Sequence, residues 1–407
     1  MRSMLATSPP RICLLTESFY PAIGGGENHT RELGRELNRL GLHVLVVTRR
    51  IMPDWPEHDQ VDGMPVTRLA PAGLGTYGKY LMLIPTVLAL IRMRDRYDLI
   101  YVCGLRVLGT AAVIAAKLLN KRVILRAESC DELSGNYIWR NPVMAKSRVF
   151  DVPARLALKL RNKLLQAADH FVSISSAIGL EYVSNGIVPQ KISQIPNGVD
   201  TERFAPVNQA ARDELRRRLG LPEKKLFLYT GKLNQGKGLE RLLRVWKRVI
   251  DENDQVHLIL VGSGFGQVIS NEVSLRRAVQ ELRLESAVTF AGSVENVEQY
   301  LQSSDCFVFP SESEALGIAL LEALSCQLPA IASRVGGIMD IVRDNENGWL
   351  VDPLNDDDLY RKIKHYLSNP ENAREMAQRG RSTVLRSFDL RETSKTHMKL
   401  FSSYAGG

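Results

Sequence analysis

Cysteine, long apolar runs and concentrated charge are all scarce in this 407-residue chain. Its five cysteines, at 13, 103, 130, 306 and 326, are odd in number and scattered through strand-like or helix-like apolar runs. That pattern argues against a disulfide framework and against thiolate metal binding, and fits free thiols in a reducing cytoplasm. No stretch reaches the ~18–20 apolar residues of a spanning helix; LMLIPTVLALI at 81–91 is short and broken by Pro85. MRSMLATSPPRICLLT, at the start, shows no signal-type apolar core with a cleavage site, so a cytoplasmic location is expected. The formal charge of +8 is modest for this length. Without a basic tail or basic–aromatic interleaving, nucleic acid is not an expected partner.

The charge is nevertheless uneven. Residues 121–168 hold ten Lys and Arg against four acids, together with apolar residues such as Ile138, Trp139, Val143 and Phe150. A solvated helix face explains this, and so does a surface that leans reversibly on anionic headgroups or receives an acidic acceptor.

What is present is the composition of a globular protein, 44% hydrophobic and 24% charged, in a chain too long for one ordinary core. Short β-branched runs alternate with helical patterns. RICLLT (11–16), HVLVVT (43–48), DLIYVC (98–103), KRVILR (121–126), HFVSI (170–174) and KISQIP (191–196) read as strands. After PNGVDTERFAP the pattern restarts with KLFLYT (225–230), VHLILV (256–261), AVTFAG (287–292), DCFVFP (305–310) and LPAIAS (328–333). The alternation predicts two α/β halves with parallel sheets, residues 1–204 and 205–384, hinged near 200–208. The last segment, about 385–407, has helical spacing and no strand. Such sheets bind ligands at the carboxyl ends of their strands.

Several loops fall there. ESFYPAIGGGENHT follows the first strand, and Gly24, Gly25 and Gly26 allow an anion close to the backbone at a helix start. A glycine triplet alone is equally a flexible turn. TGKLNQGKGLERLL (230–243) places Lys232 and Lys237 on a glycine-punctuated strand-to-helix loop, where two cations can clamp a diphosphate or simply face water. VGSGFG (261–266) is a further turn of this kind. Neither half carries the GxGxxG fingerprint with its downstream acid, which disfavours a dehydrogenase. Asp356-Asp357-Asp358 reads as a helix N-terminus rather than a metal motif.

PSESEALGIALLEALSC (310–326) holds two carboxylates with different settings. Glu314 lies in a loop at the end of a predicted strand, before a helix start whose Gly317, Ile318 and Ala319 N–H groups can face an anion. Glu322 sits inside the apolar helix. At about 100° per residue it lies roughly 40° from Ile318, on the same edge. One carboxylate can meet a sugar and the other a ribose diol, with the helix start between them for phosphate. Alternatively, the pair is an N-terminal cap plus one buried structural glutamate.

Taken together these segments resemble the retaining glycosyltransferases of family 4, which have the GT-B architecture of two Rossmann-like α/β domains facing across a central cleft. PSESEALGIALLEALSC matches their Glu-x7-Glu segment and GKLNQGKG their phosphate loop. The match continues through GGGEN, ADHFVSISSAI, IPNGVDTERF, VGG (335–337) and NGWLVDP, in order along nearly the whole chain. The resemblance implies that Lys232 and Lys237 bind a donor diphosphate, that Glu314 contacts the donor sugar and Glu322 the ribose. It also implies that Gly24 and Gly25 approach the phosphate, that backbone from Gly292 to Val294 meets the base, and that the final helix packs on the first domain. Departures are Lys232 where arginine is usual, Ala-Leu after Glu314 in place of Gly-Phe, and Gln327 for a frequent glycine. VCGLR (102–106) lacks the histidine common after that strand. Arg106, Arg126 and Glu128, near the strand ends, are the remaining candidates for the acceptor site.

The resemblance implies transfer of a hexosyl group from a nucleotide sugar, UDP-linked rather than GDP-linked, to an acceptor hydroxyl, without metal or other cofactor. A glycan or lipid-linked acceptor in envelope polysaccharide or glycolipid synthesis is expected, with a possible peripheral position on the inner membrane face. An epimerase or phosphorylase on the same fold, or an idle nucleotide-sugar-binding subunit, is the rival reading.

Overall fold

The computed structural model describes residues 9–22, 24–73, 75–136, 148–264 and 269–405. Ile138, Trp139, Val143, the side chain of Phe150 and the last two residues of VGSGFG lie outside this description. Two α/β units divide the chain, Met1–Pro196 with Leu390–Gly407, and Asn197–Asp389.

In the first unit the strands are β1 (Arg11–Thr16), β2 (His43–Arg49), β3 (His58–Val61), β4 (Met64–Leu69), β5 (Leu99–Cys103), β6 (Arg122–Arg126), β7 (His170–Ser173) and β8 (Ile192–Gln194). They form one sheet in the order β3-β4-β2-β1-β5-β6-β7-β8, parallel except for β3 against β4. β1, β2 and β5 are buried along almost their whole length, as near-continuous apolar runs require when helices cover both faces. The β3–β4 hairpin was not expected from sequence. Its turn, Asp62-Gly63, has both residues at positive φ, the conformation this pair favours between antiparallel strands.

Four helices of this unit matter below: α1 (Gly25–Arg39), α2 (Leu83–Arg92), α3 (Leu108–Leu119) and α4 (Arg148–Leu165). α1 buries Leu33 and Leu37 in the core. The crossover through α1 runs toward one edge of the sheet, and those through α2, α3 and α4 run toward the other. Right-handed connections therefore put α1 on one face and the other three on the opposite face.

The second sheet contains β9 (Lys225–Thr230), β10 (Val256–Val261), β11 (Val288–Gly292), β12 (Cys306–Phe309), β13 (Ala330–Ser333) and β14 (Trp349–Val351). Its order is β11-β10-β9-β12-β13-β14, all parallel. β14 spans three residues, too short for a periodic signal, and was not expected. The helices used below are α5 (Leu239–Glu252), α6 (Ile318–Ser325) and α7 (Asp356–Ser368).

The final helix, α8 (Leu390–Ala405), packs on α1 and sends Phe401 into the core of the first unit. His397 Nδ1–H donates to Thr393 O at 2.9 Å, so its Nε2 accepts from the Tyr101 hydroxyl at 3.0 Å. Burial of this neutral ring pushes its pKa down to about 3. The boundary between the units falls at Asn197, not near 204. Val199 N–H donates to Phe388 O, Thr201 Oγ1 to Asp389, and Ser325 Oγ to Phe204 O, which ties residues 197–204 to the second unit.

Candidate functional site

In the second unit the sequence-selected residues gather at the carboxyl ends of β9, β11 and β12. The loop after β9 carries Lys232 and Lys237 and turns into α5 at Gly238, whose φ is 68°. A Cβ there would lie 1.9 Å from Pro310 O, so only glycine lets this loop press against the end of β12. Glu312 N–H donates to Gly236 O at 2.9 Å, pinning the two loops together. On the other side, Gly337 N–H donates to Glu314 O at 3.1 Å, and a Cβ on Gly336 would lie 2.0 Å from that same oxygen. The backbone at Glu314 is thus clamped between two neighbouring loops.

Its side chain is placed accordingly. Glu314 Oε1 accepts from Lys237 Nζ at 2.6 Å, with the two side chains 13% and 27% exposed. Beneath them Tyr229 is buried and donates its hydroxyl to Lys232 O at 3.2 Å. Burial, and secondarily the Glu314 charge, hold that phenol well above its usual range. The site therefore presents a carboxylate paired with Lys237, with Lys232 on the same loop.

α6 starts at Gly317, with φ 104° and no side-chain cap, leaving its first N–H groups without an intrahelical partner. In α6 every residue is buried except Ile318, Ala319 and Glu322, which lie at i, i+1 and i+4 on one edge. The expected alignment of Glu322 with the helix start is what the fold shows. At the end of β11, Gly292 accepts through its carbonyl from Gly262 N–H at 2.7 Å, and half-buried Val294 follows. Asp356 starts α7 and is held by Arg241 and Arg244, and Asp357 pairs with Arg248; these acids form the first turn of a helix capped by Asn355.

In the first unit Gly24 precedes α1, again without a side-chain cap, and Gly25 opens the helix. A Cβ on Gly26 would lie 2.9 Å from Glu128 Oε2. Glu128 Oε1 accepts from Arg126 Nη2 at 2.7 Å and from Thr30 Oγ1 at 3.5 Å. This corrects one expectation. Arg126 is fully buried beside the Tyr101 ring, because β6 is covered on both faces, so it lines no acceptor site itself. It holds Glu128, which remains part-exposed. Arg106 Nη2 donates to Ser129 Oγ at 2.8 Å and its Nε lies 3.9 Å from Glu132, so it too serves a local network. Burial holds the Glu132 carboxyl above its usual range.

Sequence reasoning assigned no role to Tyr229, Gly336 or Gly337. VGG at 335–337 was visible as a motif, but its partner is a carbonyl on another loop. Tyr229 resembles any strand residue.

The chain matches two family models, one described as Glycosyltransferase Family 4 over residues 23–203 and one as Glycosyl transferases group 1 over residues 211–383. It is 27% identical over 381 residues to the sulfoquinovosyl transferase SQD2 of Arabidopsis thaliana, covering 90% of this chain and 68% of that protein. Among solved structures it superposes on sucrose-phosphate synthase from Thermosynechococcus elongatus with a TM-score of 0.81, at 24% identity, over 97% of this chain and 98% of that one. HepE from Anabaena, solved in complex with UDP and glucose, gives a TM-score of 0.79 at 20% identity, over 97% and 100%. These likenesses establish the two-unit GT-B fold.

Proposed function

Because the chain belongs to the family 4 glycosyltransferases, we propose that it moves a hexosyl group from a UDP-linked sugar to an acceptor hydroxyl with retention of anomeric configuration. The observation that carries this reading is the Lys237–Glu314 pair set beside the uncapped start of α6. The barrier to such a transfer is charge separation, as an oxocarbenium-like sugar leaves a diphosphate. Lys237, Lys232 and the first N–H groups of α6 stabilise the growing negative charge, and preorganised electrostatics of this kind usually lowers a barrier more than any other single effect. With that positive charge supplied by side chains and backbone, the reaction proceeds without a metal ion.

The C1–O bond to the diphosphate breaks while a C1–O bond to the acceptor forms on the same face. The acceptor proton passes to the departing phosphate oxygen, so no histidine is needed at the position where VCGLR lacks one. Glu314 meets the donor sugar and Glu322 the ribose. Gly24 and Gly25 approach the phosphate, backbone near Gly292 and Val294 meets the base, and Glu128, held by Arg126, meets the acceptor. The UDP in the HepE structure supports a uridine donor. A glycan or lipid-linked acceptor of the cell envelope fits the basic, apolar-bearing segment of the first unit. No helix among the described residues is long and apolar enough to cross a membrane, and the reading places the enzyme peripherally on the inner membrane face.

Incubation with labelled nucleotide sugars and a panel of glycan and lipid acceptors tests this. A glycoside of unchanged anomeric configuration is expected. Epimerised donor without acceptor, sugar phosphate formed from inorganic phosphate, or binding without turnover would each replace the reading.

A further inference from the structure

We propose that the outward face of the α2–α3–α4 layer is a docking surface for an anionic phospholipid bilayer. α2 packs on α3 and α3 on α4, so the three helices form one continuous layer over the first sheet. Each turns apolar side chains to solvent as well as to the core. In α2, Thr86 and Leu90 are buried, while Ile84 is 68% and Leu88 46% exposed on the other side. Arg92 follows four residues on and is exposed. α3 exposes Leu118 at 68%, next to exposed Lys117. α4 exposes Leu156 at 58% and Leu160 at 63%, among exposed Arg155, Lys159 and Lys163.

Single exposed leucines are ordinary on a protein surface. Here exposed aliphatic side chains recur at four-residue spacing in α2 and in α4, with Leu118 of the intervening α3 exposed as well. The inner side of α4 is fixed, since Arg161 Nη2 donates to Leu133 O at 2.7 Å and Asn162 Nδ2 to the same oxygen at 2.8 Å. The outward leucines are thus presented by an anchored helix. Charge selects the occupant. α2 and α3 contain no Asp or Glu, and α4 contains one, Asp151, near its start. A second copy of the chain docked by a two-fold axis would set this cationic face against itself, which like charges oppose. Aliphatic side chains that enter the headgroup boundary, flanked by lysines whose stems follow them while the ammonium groups stay with phosphate, suit an anionic membrane.

The inference deepens the envelope reading and rests on it for the acceptor. Vesicle binding needs no turnover, so the two can fail separately. Flotation of the full chain with vesicles of phosphatidylglycerol and phosphatidylcholine, against phosphatidylcholine alone, is the test. Recovery is expected with the anionic vesicles and little with neutral ones. Raising salt from 0.1 M to 1 M should release the protein, as the screening length falls from about 10 Å to about 3 Å. Near such a surface each cation contributes about fivefold in partitioning, so Lys159→Glu with Lys163→Glu should weaken it by at least about twenty-five-fold. Leu156→Gln with Leu160→Gln should also weaken it, with circular dichroism and UDP titration confirming an intact fold and donor site. Equal recovery on both lipids, undiminished binding by the folded charge variant, or no vesicle recovery overturns the proposal. Self-association abolished by the same substitutions would assign the face to a second copy and overturn it too.

Discussion

Lys237 Nζ lies 2.6 Å from Glu314 Oε1, joining the loop after β9 to the loop after β12 across 77 residues of sequence. The two side chains were expected to serve a diphosphate and a sugar separately, yet they pair with each other. A carboxylate this buried keeps its orientation only while the lysine is present. Lys237→Ala should therefore lower kcat/KM by roughly two to three orders of magnitude. Glu314→Gln should depress kcat strongly and leave nucleoside diphosphate affinity almost unchanged. Because the groups act as a pair, the double variant should cost little more than the worse single one. Steady-state kinetics of the three variants decides this, and multiplicative losses would mean the pair does not act as one.

Glu322 has a different task. It shares the exposed edge of α6 with Ile318 and Ala319, one turn behind the helix start. Glu322→Gln keeps the shape and loses the charge, so donor affinity should weaken by about 1.5–3 kcal/mol, the scale of a charged hydrogen bond. Free UDP should weaken equally, since it carries the same ribose. Calorimetric titration with UDP and with a UDP-sugar reads this. A loss confined to the UDP-sugar would move Glu322 to the sugar.

The parts of this site that were legible in sequence are those set by local period and backbone permission. Glu322 could be placed on an edge because α6 is a regular helix, and Gly317 could be read as a start. The Lys237–Glu314 contact could not, because it depends on β9 and β12 being neighbours although two strands separate them in the chain. Arg126 misled for a related reason. A charged residue at a strand end suggests a site lining, but β6 is covered on both faces and α8, arriving from the far end of the chain, brings His397 to its neighbour Tyr101. The β3–β4 hairpin was hidden behind Pro65, although Asp62-Gly63 was a usable turn signal.

Transfer should persist in excess chelator. In the proposed mechanism Lys232, Lys237 and the start of α6 supply the positive charge that a divalent ion supplies elsewhere. Initial rates in the presence of EDTA should match those without it. Abolition by EDTA, with recovery on adding magnesium or manganese, would put an ion in the site and demote the lysines.

His397 gives the fold a pH dependence of definite sign. Burial pushes it down to about 3, whereas an unfolded chain protonates histidine near about 6.5. The stability tied to its neutral form is fully present above about 6.5. It falls as acid is added, because only the unfolded state takes up the proton, by about 1.4 kcal/mol for each pH unit below that point. His170 and His257, also lowered chiefly by burial, tilt stability the same way. His397→Gln offers Tyr101 an acceptor without a titrating ring, so it should remove this share of the acid loss and leave the rest. Urea unfolding of both proteins at pH 7.5 and 5.5 measures it: the wild type should lose about 1.4 kcal/mol more than the variant between the two. Equal losses would mean that His397 is protonated in the fold, and that Tyr101 is not held by a neutral ring.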